Sequence, residues 1–504
     1  MNFRSILSNY SLRMVLDRVE YKSILLQNAN EIYATINEIK QKNLKTLVYG
    51  DYDPDGAMCT NIWKDTFRCI GFKNYAIFKY GERMHVLDPQ AVRQAIRHKF
   101  DCIIINDTCS NELDKIEELI RFGIKVIIID HHDTKLTYQN YPKGCAIVNS
   151  MIETKYDLRV SAGALCFIVL DYYLTQIVNY SDTGTMACYA LISLYSDCID
   201  MSSEINRAIY YKVMGLPMRN LPFEISVFLK PQDKFCRRFI EFKYSPRLNC
   251  AFRQELFELL NSYVEYKYNG SLSDLKAKVT TLEALHKKST ELVQRVTDII
   301  VLEELDDFIL ANINSVNPYV NVRQNKLFNY TGLVANKLAD RYGKCAVVWC
   351  SATNEIKGSF RDLKSRKYLD VFQQFCDANG HQSAFGIHIN PLEFKSFVRF
   401  VRKVDEKFAL EASENTPIVV PYAGLCPDEE LLDDMALYNE FSGQIPIALL
   451  HVKVNSGFVQ KKSMFGGYKY KWGFANITSS RKLLPDSEVL LKPVVCKKTR
   501  LYVI

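Results

Sequence analysis

The amino-acid sequence predicts an α/β protein organised around a parallel β-sheet. Three short apolar runs, at residues 44–48, 101–105 and 125–129, have the length and the β-branched content of buried strands. Helical patterns over residues 57–70 and 111–122 separate these runs. Strands that alternate with helices in this way are typical of a parallel sheet with helices on both faces.

The segments around these runs continue the pattern. Residues 1–40 show an amphipathic helical pattern, residues 75–78 a short strand, and residues 86–98 another helix. Gly123 follows the helix at 111–122, at a position where glycine commonly ends a helix. Residues 1–40 are predicted to pack beside the sheet and to carry no chemistry of their own.

The turn after the first strand, Gly50-Asp51-Tyr52-Asp53-Pro54-Asp55-Gly56, holds three carboxylates and no lysine or arginine. Because like charges in a tight turn repel one another, a bound divalent cation would offset them. A solvated turn and a calcium loop are the alternatives, since Asp and Gly are common turn residues. A calcium loop would need a glutamate at position 62, where this chain has Ile62.

Two later strands also end in potential metal ligands. Asp107 follows the second apolar run, and Asp130, His131 and His132 follow the third. A single Asp could instead cap the next helix, but two adjacent histidines have no packing reason to end a core strand. Because ligands bind at the carboxyl ends of the strands in open α/β sheets, we expect these side chains to gather on one edge.

In order and spacing, these motifs resemble the first three motifs of the DHH phosphoesterase superfamily, and most of all those of its RecJ-type single-strand nucleases. Two later segments fit the resemblance. Ser161-Ala162-Gly163-Ala164 opens a predicted helix through Tyr173, and the segment 193–201 contains Asp197, which matches the Asp that completes the family's metal site. Asn206-Arg207 looks like the family's Asn-Arg pair.

The resemblance implies a site for two divalent cations, with Mn²⁺ preferred and Mg²⁺ as the alternative, because carboxylates with one or two imidazoles suit these ions. Structural zinc would need thiolates, and no cysteine lies in the motifs at zinc-ligand spacing. The implied metal ligands are Asp53, Asp55, Asp107, His131 and Asp197, with Asp107 as the bridging carboxylate and Asp200 as a structural neighbour.

The implied catalytic residues are His132, Asp130 and Asp51. His132 would face the scissile phosphate as a charge stabiliser or a general acid, and Asp130 would orient a histidine. Many DHH enzymes have a histidine where this chain has Tyr49, a change that RecJ-type enzymes tolerate with an acid at the position of Asp51. In the same domain the implied substrate-binding residues are Ser161, Ala162, Gly163 and Arg207.

Residues 223–300 show a helical and charged pattern. This pattern predicts either a coiled coil or, as the resemblance implies, a long connector between two lobes. Beyond them, Gly358-Ser359-Phe360-Arg361 and Asn379-Gly380-His381 resemble signatures of the DHH-associated domain, from which Asn379 and Phe385 depart. The resemblance implies that Ser359, Arg361, Gly380 and His381 grip the substrate strand across a cleft from the metals.

After residue 417 the chain becomes rich in predicted strands, and residues 437–446 faintly resemble the RecJ segment that leads into an oligonucleotide-binding barrel. In this region lysines interleave with aromatic residues, namely Lys461, Lys462, Lys469 and Lys471 with Phe465, Tyr468, Tyr470 and Trp472. The pattern fits either a surface for single-stranded nucleic acid or a hairpin with a solvated lysine face.

We therefore predict four domains. A parallel-sheet DHH catalytic domain covers residues 1–215, a helical connector 216–325, a smaller α/β DHH-associated domain 326–412 and an OB-like β-rich domain 413–504. The chain has 504 residues and a formal net charge of +7, which is compatible with nucleic acid. The chain has fifteen cysteines but no CxxC pair, and residues 1–16 lack the apolar core of a signal peptide. These two features predict reduced thiols in a cytoplasm, either that of a bacterium or that of a phage's host. No apolar run is long enough to predict a membrane span.

The predicted function is hydrolysis of single-stranded DNA, rather than RNA, by a metal-dependent exonuclease in DNA repair or recombination. The resemblance implies 5′-to-3′ polarity, a monomer, and a helicase or a single-strand-binding protein as partner. One alternative is a DHH phosphodiesterase acting on short oligonucleotides or cyclic dinucleotides, although such enzymes are usually shorter and lack a C-terminal barrel. The other is a catalytically inactive single-strand-binding scaffold, although such proteins typically lose ligands that this chain keeps.

Overall fold

The structure is a computed structural model. It describes residues 3–9, 12–79, 86–230, 233–264, 272–317, 319–351, 355–362, 368–381, 384–407, 417–424, 428–442, 447–461, 468–473, 475–479, 482–495 and 500–504. The chain divides into two compact units. The first contains residues 1–252, 257–279 and 416–504, and the second contains residues 253–256 and 280–415. The four predicted domain boundaries stay a prediction.

The first unit is built on a five-stranded parallel sheet in the order β2-β1-β3-β4-β5. Its strands are β1 (Thr46–Gly50), β2 (Tyr75–Ile77), β3 (Cys102–Asn106), β4 (Lys125–Asp130) and β5 (Cys145–Asn149). All three predicted apolar strands are present, and β1 and β3 are buried along their whole length. Because the chain leaves β1 for β2 on one side and reaches β3 on the other, the strand order reverses between β1 and β3. Ligand sites of open α/β sheets lie at such a point.

Helices surround this sheet, as the alternating pattern predicts. They are α1 (Phe3–Ser8), α2 (Ala29–Lys42), α3 (Pro54–Cys69), α4 (Pro89–Arg97), α5 (Leu113–Arg121), α6 (Ala162–Tyr172), α7 (Gly184–Ser196) and α8 (Glu204–Met214). Helices α3, α6 and α7 pack against one another. Gly123 follows α5 at φ +76°, a left-handed conformation that favours glycine and confirms the predicted helix end.

The prediction of a helical segment over residues 1–40 is wrong between α1 and α2. Apart from a short 3₁₀ turn at Arg13–Leu16, the chain there is not helical as far as the structure describes it, and Ile24 and Leu25 lie in this stretch. Ser23 donates a hydrogen bond to Asp171, which is fully buried. A contact with a distant helix therefore outweighs the local helical pattern.

Five further helices follow: α9 (Phe223–Ser226), α10 (Arg237–Phe239), α11 (Ser245–Arg253), α12 (Phe257–Val264) and α13 (Leu272–Ile299). The last is a single helix of 28 residues that carries the chain from the first unit into the second. Val293 and Val296, near its end, are buried in a core cluster of the second unit.

The second unit is a six-stranded mixed sheet in the order β10-β11-β9-β8-β7-β6. Its elements are β6 (Leu302–Glu304), β7 (Phe308–Asn312), α14 (Thr331–Tyr342), β8 (Cys345–Ser351), β9 (Ile356–Arg361), α15 (Leu369–Gln373), β10 (Asp377–His381), β11 (Ala384–Ile389) and α16 (Phe394–Lys407). One apolar core forms with α14 and another with α15 and α16. Strand β7 was not predicted from the sequence.

The C-terminal part of the first unit is β-rich, as predicted. Its elements are β12 (Ile418–Tyr422), α17 (Glu429–Phe441), β13 (Ala448–Lys453), β14 (Phe458–Lys461), β15 (Tyr468–Trp472), β16 (Ala475–Ser479), β17 (Glu488–Val494) and β18 (Arg500–Val503). These strands form a seven-stranded sheet in the order β12-β13-β17-β18-β16-β15-β14, in which β13 pairs with β17 and β14 pairs with β15. This sheet agrees with the β-rich C-terminal region of the predicted fold class.

No helix in the described part of the chain combines the length and the apolar content that a membrane crossing requires. Every cysteine that the structure describes is a free thiol, as the sequence predicts.

Candidate metal centre

The three acidic residues after β1 lie at the junction of β1 and α3. Asp53 is the N-cap of α3, and its side chain accepts a hydrogen bond from the Gly56 N–H at 3.0 Å. Pro54 occupies the first helical position, where its fixed φ suits the helix and its missing N–H costs nothing. The turn is therefore a helix start, and the three carboxylates converge at the N-terminus of α3, where the helix dipole favours negative charge.

Two glycines allow this turn to close. A Cβ at Gly56 would lie 2.3 Å from Asp51 N, and a Cβ at Gly50 would lie 2.3 Å from Gly56 O. No side chain fits at either position, so the backbone approach requires glycine.

Replacing Gly56 by alanine is expected to destabilise the protein by about 1–3 kcal/mol, the usual effect of forcing an extra carbon into a packed site. Because the added methyl group would press on the Asp51 backbone, Mn²⁺ should also stabilise the variant less than the wild type. Thermal unfolding with EDTA and with Mn²⁺ measures both effects. Gly215→Ala is the matched control, since a Cβ there would lie 3.4 Å from its nearest neighbour. Equal melting temperatures for the two variants would contradict the prediction.

Asp55 is fixed by the start of α6 and by α7. Its carboxylate accepts hydrogen bonds from the N–H groups of Ala162 at 3.0 Å and Gly163 at 2.8 Å, and from the Ser193 hydroxyl. A Cβ at Gly163 would lie 3.0 Å from Asp55 Oδ1, so glycine permits this approach. The contacts give Ala162 and Gly163 a positioning role, while their predicted contact with substrate stays a prediction. Ser193 lies one helical turn before Asp197 and is a site residue that the sequence motifs do not predict.

His131 brings the ends of β3, β4 and α7 together. Its Nε2 atom lies 3.3 Å from Asp107 Oδ1, 3.6 Å from Asp197 Oδ2 and 3.9 Å from Asp55 Oδ2. Asp107 has φ +64°, an uncommon left-handed conformation for a residue other than glycine. Such conformations cluster at functional sites because the surrounding structure must hold them.

Asp130 and His132 form a separate pair beside this cluster. His132 Nδ1 lies 2.8 Å from Asp130 Oδ1, and Asp130 also accepts hydrogen bonds from the backbone N–H groups of Ser110, His131 and His132. Burial by itself would raise the pKa of Asp130, but the hydrogen bond and charge of His132 outweigh it and hold that pKa well below its usual range. Burial would likewise lower the pKa of His132, but Asp130 raises it to about 9. Although its Nδ1 atom contacts Asp130, the His132 side chain is 56% exposed.

Three sets of side chains each place their ligand atoms within 4.8 Å of one another. They are Asp51, Asp53 and Asp107; Asp55, His131 and Asp197; and Asp107, His131 and His132. Asp107 and His131 each belong to two sets. Asp197 Oδ2 is buried and accepts no hydrogen bond from the described residues. This oxygen-rich donor set with one or two imidazoles fits a divalent cation such as Mn²⁺ or Mg²⁺.

The electrostatics of the cluster also favour a cation. Burial and the neighbouring carboxylates raise the pKa of Asp107 well above its usual range. Burial is the main cause that raises the pKa of Asp55 to about 7 and that of Asp197 to about 6, and His131 opposes both shifts. Without a cation, ionisation of these carboxyl groups is therefore less favourable in the folded protein than in water.

The stability of metal-free protein should fall as the pH rises from about 4 to about 7. The folded pKa values of Asp55 and Asp197 are raised, so the folded state binds more protons than the unfolded state in this window, and stability is lost as the pH rises through it. In EDTA we expect the melting temperature to be lower at pH 7 than at pH 5.5 by about 5 °C. The gain from Mn²⁺ should be larger at pH 7. An equal gain from Mn²⁺ at the two pH values would contradict the prediction.

Three other predicted residues lie around the centre in supporting positions. The Ser161 hydroxyl contacts the Ser193 hydroxyl, and Ser161 is the N-cap of α6. Arg207 Nη1 donates to the backbone carbonyls of Met14 and Asp17, so this part of its guanidinium serves chain packing, and its predicted contact with substrate stays a prediction. Asp200 accepts hydrogen bonds from Ser202 and Arg159, as expected of a structural neighbour.

In the second unit, Ser359 and Arg361 lie on β9 beside the N-terminus of α14. The Ser359 and Thr331 hydroxyls are 2.9 Å apart, and a Cβ at Gly332 would lie 2.7 Å from Arg361 Nη2. Gly380 has φ +141° on β10, where a Cβ would lie 2.9 Å from the Ala384 carbonyl oxygen. The backbone of His381 continues β10, but its side chain lies outside the described residues.

The predicted lysine and aromatic pattern in the C-terminal region is only partly correct. Lys469 and Lys471 are exposed on β15, whereas Tyr470 and Trp472 are 5% and 0% exposed, so these two rings cannot stack on bases. The alternating side chains of a strand point to opposite faces, which separates the two sets. Lys461 lies opposite Lys469 on β14 and is also exposed. Lys462 and Phe465 lie outside the described residues.

The fold and the site together resemble those of the DHH phosphoesterase superfamily. Residues 45–193 match the family model described as the DHH family, N-terminal domain, which confirms the resemblance that the motifs predict.

Among individual proteins, the chain is similar to RecJ. It is 22% identical over 423 residues to the single-stranded-DNA-specific exonuclease RecJ of Haemophilus influenzae, an alignment that covers 76% of this chain and 70% of that protein. It is also 22% identical over 408 residues to the putative SPbeta prophage-derived single-strand DNA-specific exonuclease YorK of Bacillus subtilis, covering 74% of this chain and 67% of that protein. The crystal structure of RecJ in complex with Mn²⁺ from Thermus thermophilus has a TM-score of 0.73 at 16% identity. It covers 99% of this chain and 75% of that one.

Proposed function

We propose that this protein is a metal-dependent phosphodiesterase that digests single-stranded DNA from the 5′ end, in DNA repair or recombination. The observation that carries the proposal is the convergence of five carboxylates and His131 where the strand order reverses, with an exposed histidine beside them. The RecJ proteins to which the chain is similar are named as exonucleases specific for single-stranded DNA, which supports the choice of substrate.

In this proposal the residues of the metal centre have separate roles. Bound divalent cations, Mn²⁺ in preference to Mg²⁺, would supply positive charge against the phosphate oxygens and activate water. Asp51, Asp53, Asp55, Asp107, His131 and Asp197 would hold them. His132, with its Nδ1 atom on Asp130, would present its other nitrogen to the phosphate and donate a proton or a hydrogen bond there.

We further propose that the second unit holds a phosphate of the strand. The first backbone N–H groups of α14, the hydroxyls of Thr331 and Ser359, and the Arg361 guanidinium lie together, and such groups bind phosphate. Gly380 and His381 are proposed to contact the same strand. The exposed row of Lys461, Lys469 and Lys471 would follow the backbone of a longer substrate. A helicase or single-strand-binding partner, a monomeric state and a cytoplasmic location stay predictions.

The test is digestion of 5′- and 3′-end-labelled single-stranded DNA in Mn²⁺ and in Mg²⁺, beside a duplex, an RNA strand and a dinucleotide. We expect long single-stranded DNA to be shortened from its 5′ end, faster in Mn²⁺. Activity confined to the dinucleotide would replace the proposal with a phosphodiesterase for short substrates. Binding without cleavage in either metal would replace it with an inactive single-strand-binding protein.

A further inference from the structure

A cavity of about 840 Å³ lies in the first unit, away from the metal centre. Its volume is in the range of small-molecule sites. It is lined by the C-terminal half of α3, whereas Asp55 lies in the first turn of that helix. Asp65 lines the cavity ten residues after Asp55, which corresponds to roughly 15 Å along the helix axis. No residue of the metal centre lines it.

Three acidic residues line this cavity, namely Asp65, Glu224 and the exposed Asp182. The Asp65 side chain is 14% exposed and lies 3.1 Å from an Arg68 nitrogen through Oδ1. Its Oδ2 atom is buried and accepts no hydrogen bond from the described residues. Glu224 accepts a hydrogen bond from the Tyr189 hydroxyl. Burial, together with the charge of Glu224 and against that of Arg68, raises the pKa of Asp65 to about 6. A ligand that brings N–H donors would satisfy this oxygen.

The same cavity has aromatic walls and two exposed cations. Phe72 and Tyr75 line it, and their rings stack on each other at 25° and 6.3 Å between centroids. Lys73 and Arg219 also line it, are exposed, and form no ion pair with any residue that the structure describes. Unpaired cations at a cavity wall suit phosphate groups.

We propose that this cavity binds a guanine nucleotide, with the base against Asp65 and the phosphates at Lys73 and Arg219. Guanine presents two adjacent N–H donors on one edge, N1–H and the N2 amino group, which match a carboxylate. Adenine would place a ring acceptor, N1, beside its single amino donor and so against the Asp65 oxygen. The proposal does not depend on the nuclease function, because the cavity shares no residue with the metal centre.

The test is calorimetric titration of the full chain with GDP, ADP and guanosine. EDTA is present throughout, so that cations at the metal centre cannot hold the phosphates. We expect one GDP per chain, bound at least about tenfold more tightly than ADP, since a hydrogen bond to a charged group contributes at least that much. Guanosine should bind more weakly than GDP. No binding of GDP, or equal binding of GDP and ADP, would overturn the proposal.

Three single-residue variants test whether GDP binds in this cavity or at the metal centre. Asp65→Asn should weaken GDP at least about tenfold, because it removes the charged acceptor. Arg219→Ala, at an exposed position where folding is not at risk, should weaken GDP and leave guanosine unchanged. Asp107→Ala should leave GDP binding unchanged. Loss of GDP binding in Asp107→Ala but not in Asp65→Asn or Arg219→Ala would place the nucleotide at the metal centre and overturn the proposal. Asp65-dependent binding of an arginine-rich peptide in place of GDP would also overturn it, in favour of a protein partner.

Discussion

Asp107→Ala is expected to lower the rate of single-stranded DNA digestion in Mn²⁺ by about 1,000-fold or more, since losing even an outer-shell partner of a metal ligand typically costs roughly ten- to a hundred-fold. The Asp107 carboxylate belongs to two of the three ligand sets, and its Oδ1 atom lies 3.3 Å from His131 Nε2. Its removal therefore weakens both halves of the centre at once, which no other single carboxylate of the cluster does.

The rate should be measured under single-turnover conditions, beside Mn²⁺ titrations of the same variant. Asp107→Asn keeps the size of the side chain and removes the charge, so it should also be inactive and should bind Mn²⁺ more weakly. Because Asp107 is buried against other carboxylates, the metal-free variants should unfold at a higher temperature than the metal-free wild type. Asp114→Ala is the matched control, since Asp114 is exposed on α5. Wild-type activity in Asp107→Ala would show that the cluster is not the catalytic centre.

The edge of the sheet that carries the site could be predicted from the sequence because it depends on local patterns. Apolar runs of strand length mark β1, β3 and β4, and the residues after a parallel strand must lie at its carboxyl end. Asp53, Asp107 and His131 follow such strands directly. Their convergence therefore needs only the strand order, and the helices between the strands already imply a parallel sheet.

The support of the site could not be predicted in this way, because it comes from distant segments. Ala162, Gly163 and Ser193 lie more than 100 residues from the Asp55 carboxylate that they hold. Only the pairing of helices α3, α6 and α7 brings them together, and α6 and α7 are apolar on too many sides to reveal their partners. A donor to a buried carboxylate has no periodic signature in the sequence.

The burial of side chains in the C-terminal sheet could not be predicted from the sequence either. The alternation in β15 correctly separates Lys469 and Lys471 from Tyr470 and Trp472. It does not say whether the rings face a partner strand, a base or the interior. Tertiary packing decides this, since Trp472 stacks on Phe458 and Tyr470 accepts a hydrogen bond from the Leu483 N–H.

His132→Ala is expected to lower the rate of cleavage by about 100- to 1,000-fold, the usual contribution of a general acid, with little change in Mn²⁺ affinity. His132 is partly exposed and is held through Nδ1 by Asp130, so its other nitrogen can meet the phosphate. A substrate with sulfur in place of the leaving oxygen distinguishes its two possible roles. Sulfur leaves without a proton, so it should restore activity to the variant if His132 is a general acid. It should restore none if His132 only stabilises charge.

Asp130→Asn tests the same pair through the pH dependence of the reaction. His132 donates a proton only while it is protonated, so the rate should fall as the pH rises through its folded pKa, which Asp130 raises. Removing the negative charge of Asp130 lowers that pKa, and the fall should therefore begin at a lower pH in the variant. The rate at the optimum should drop by roughly ten- to a hundred-fold, as for other groups that orient a reacting residue. Single-turnover rates between pH 6 and pH 10 measure both effects, with Asp133→Asn as the control because Asp133 is exposed next to the motif. A pH profile in Asp130→Asn that matches the wild type would mean that Asp130 supports the backbone turn alone, through its bonds to the N–H groups of Ser110, His131 and His132.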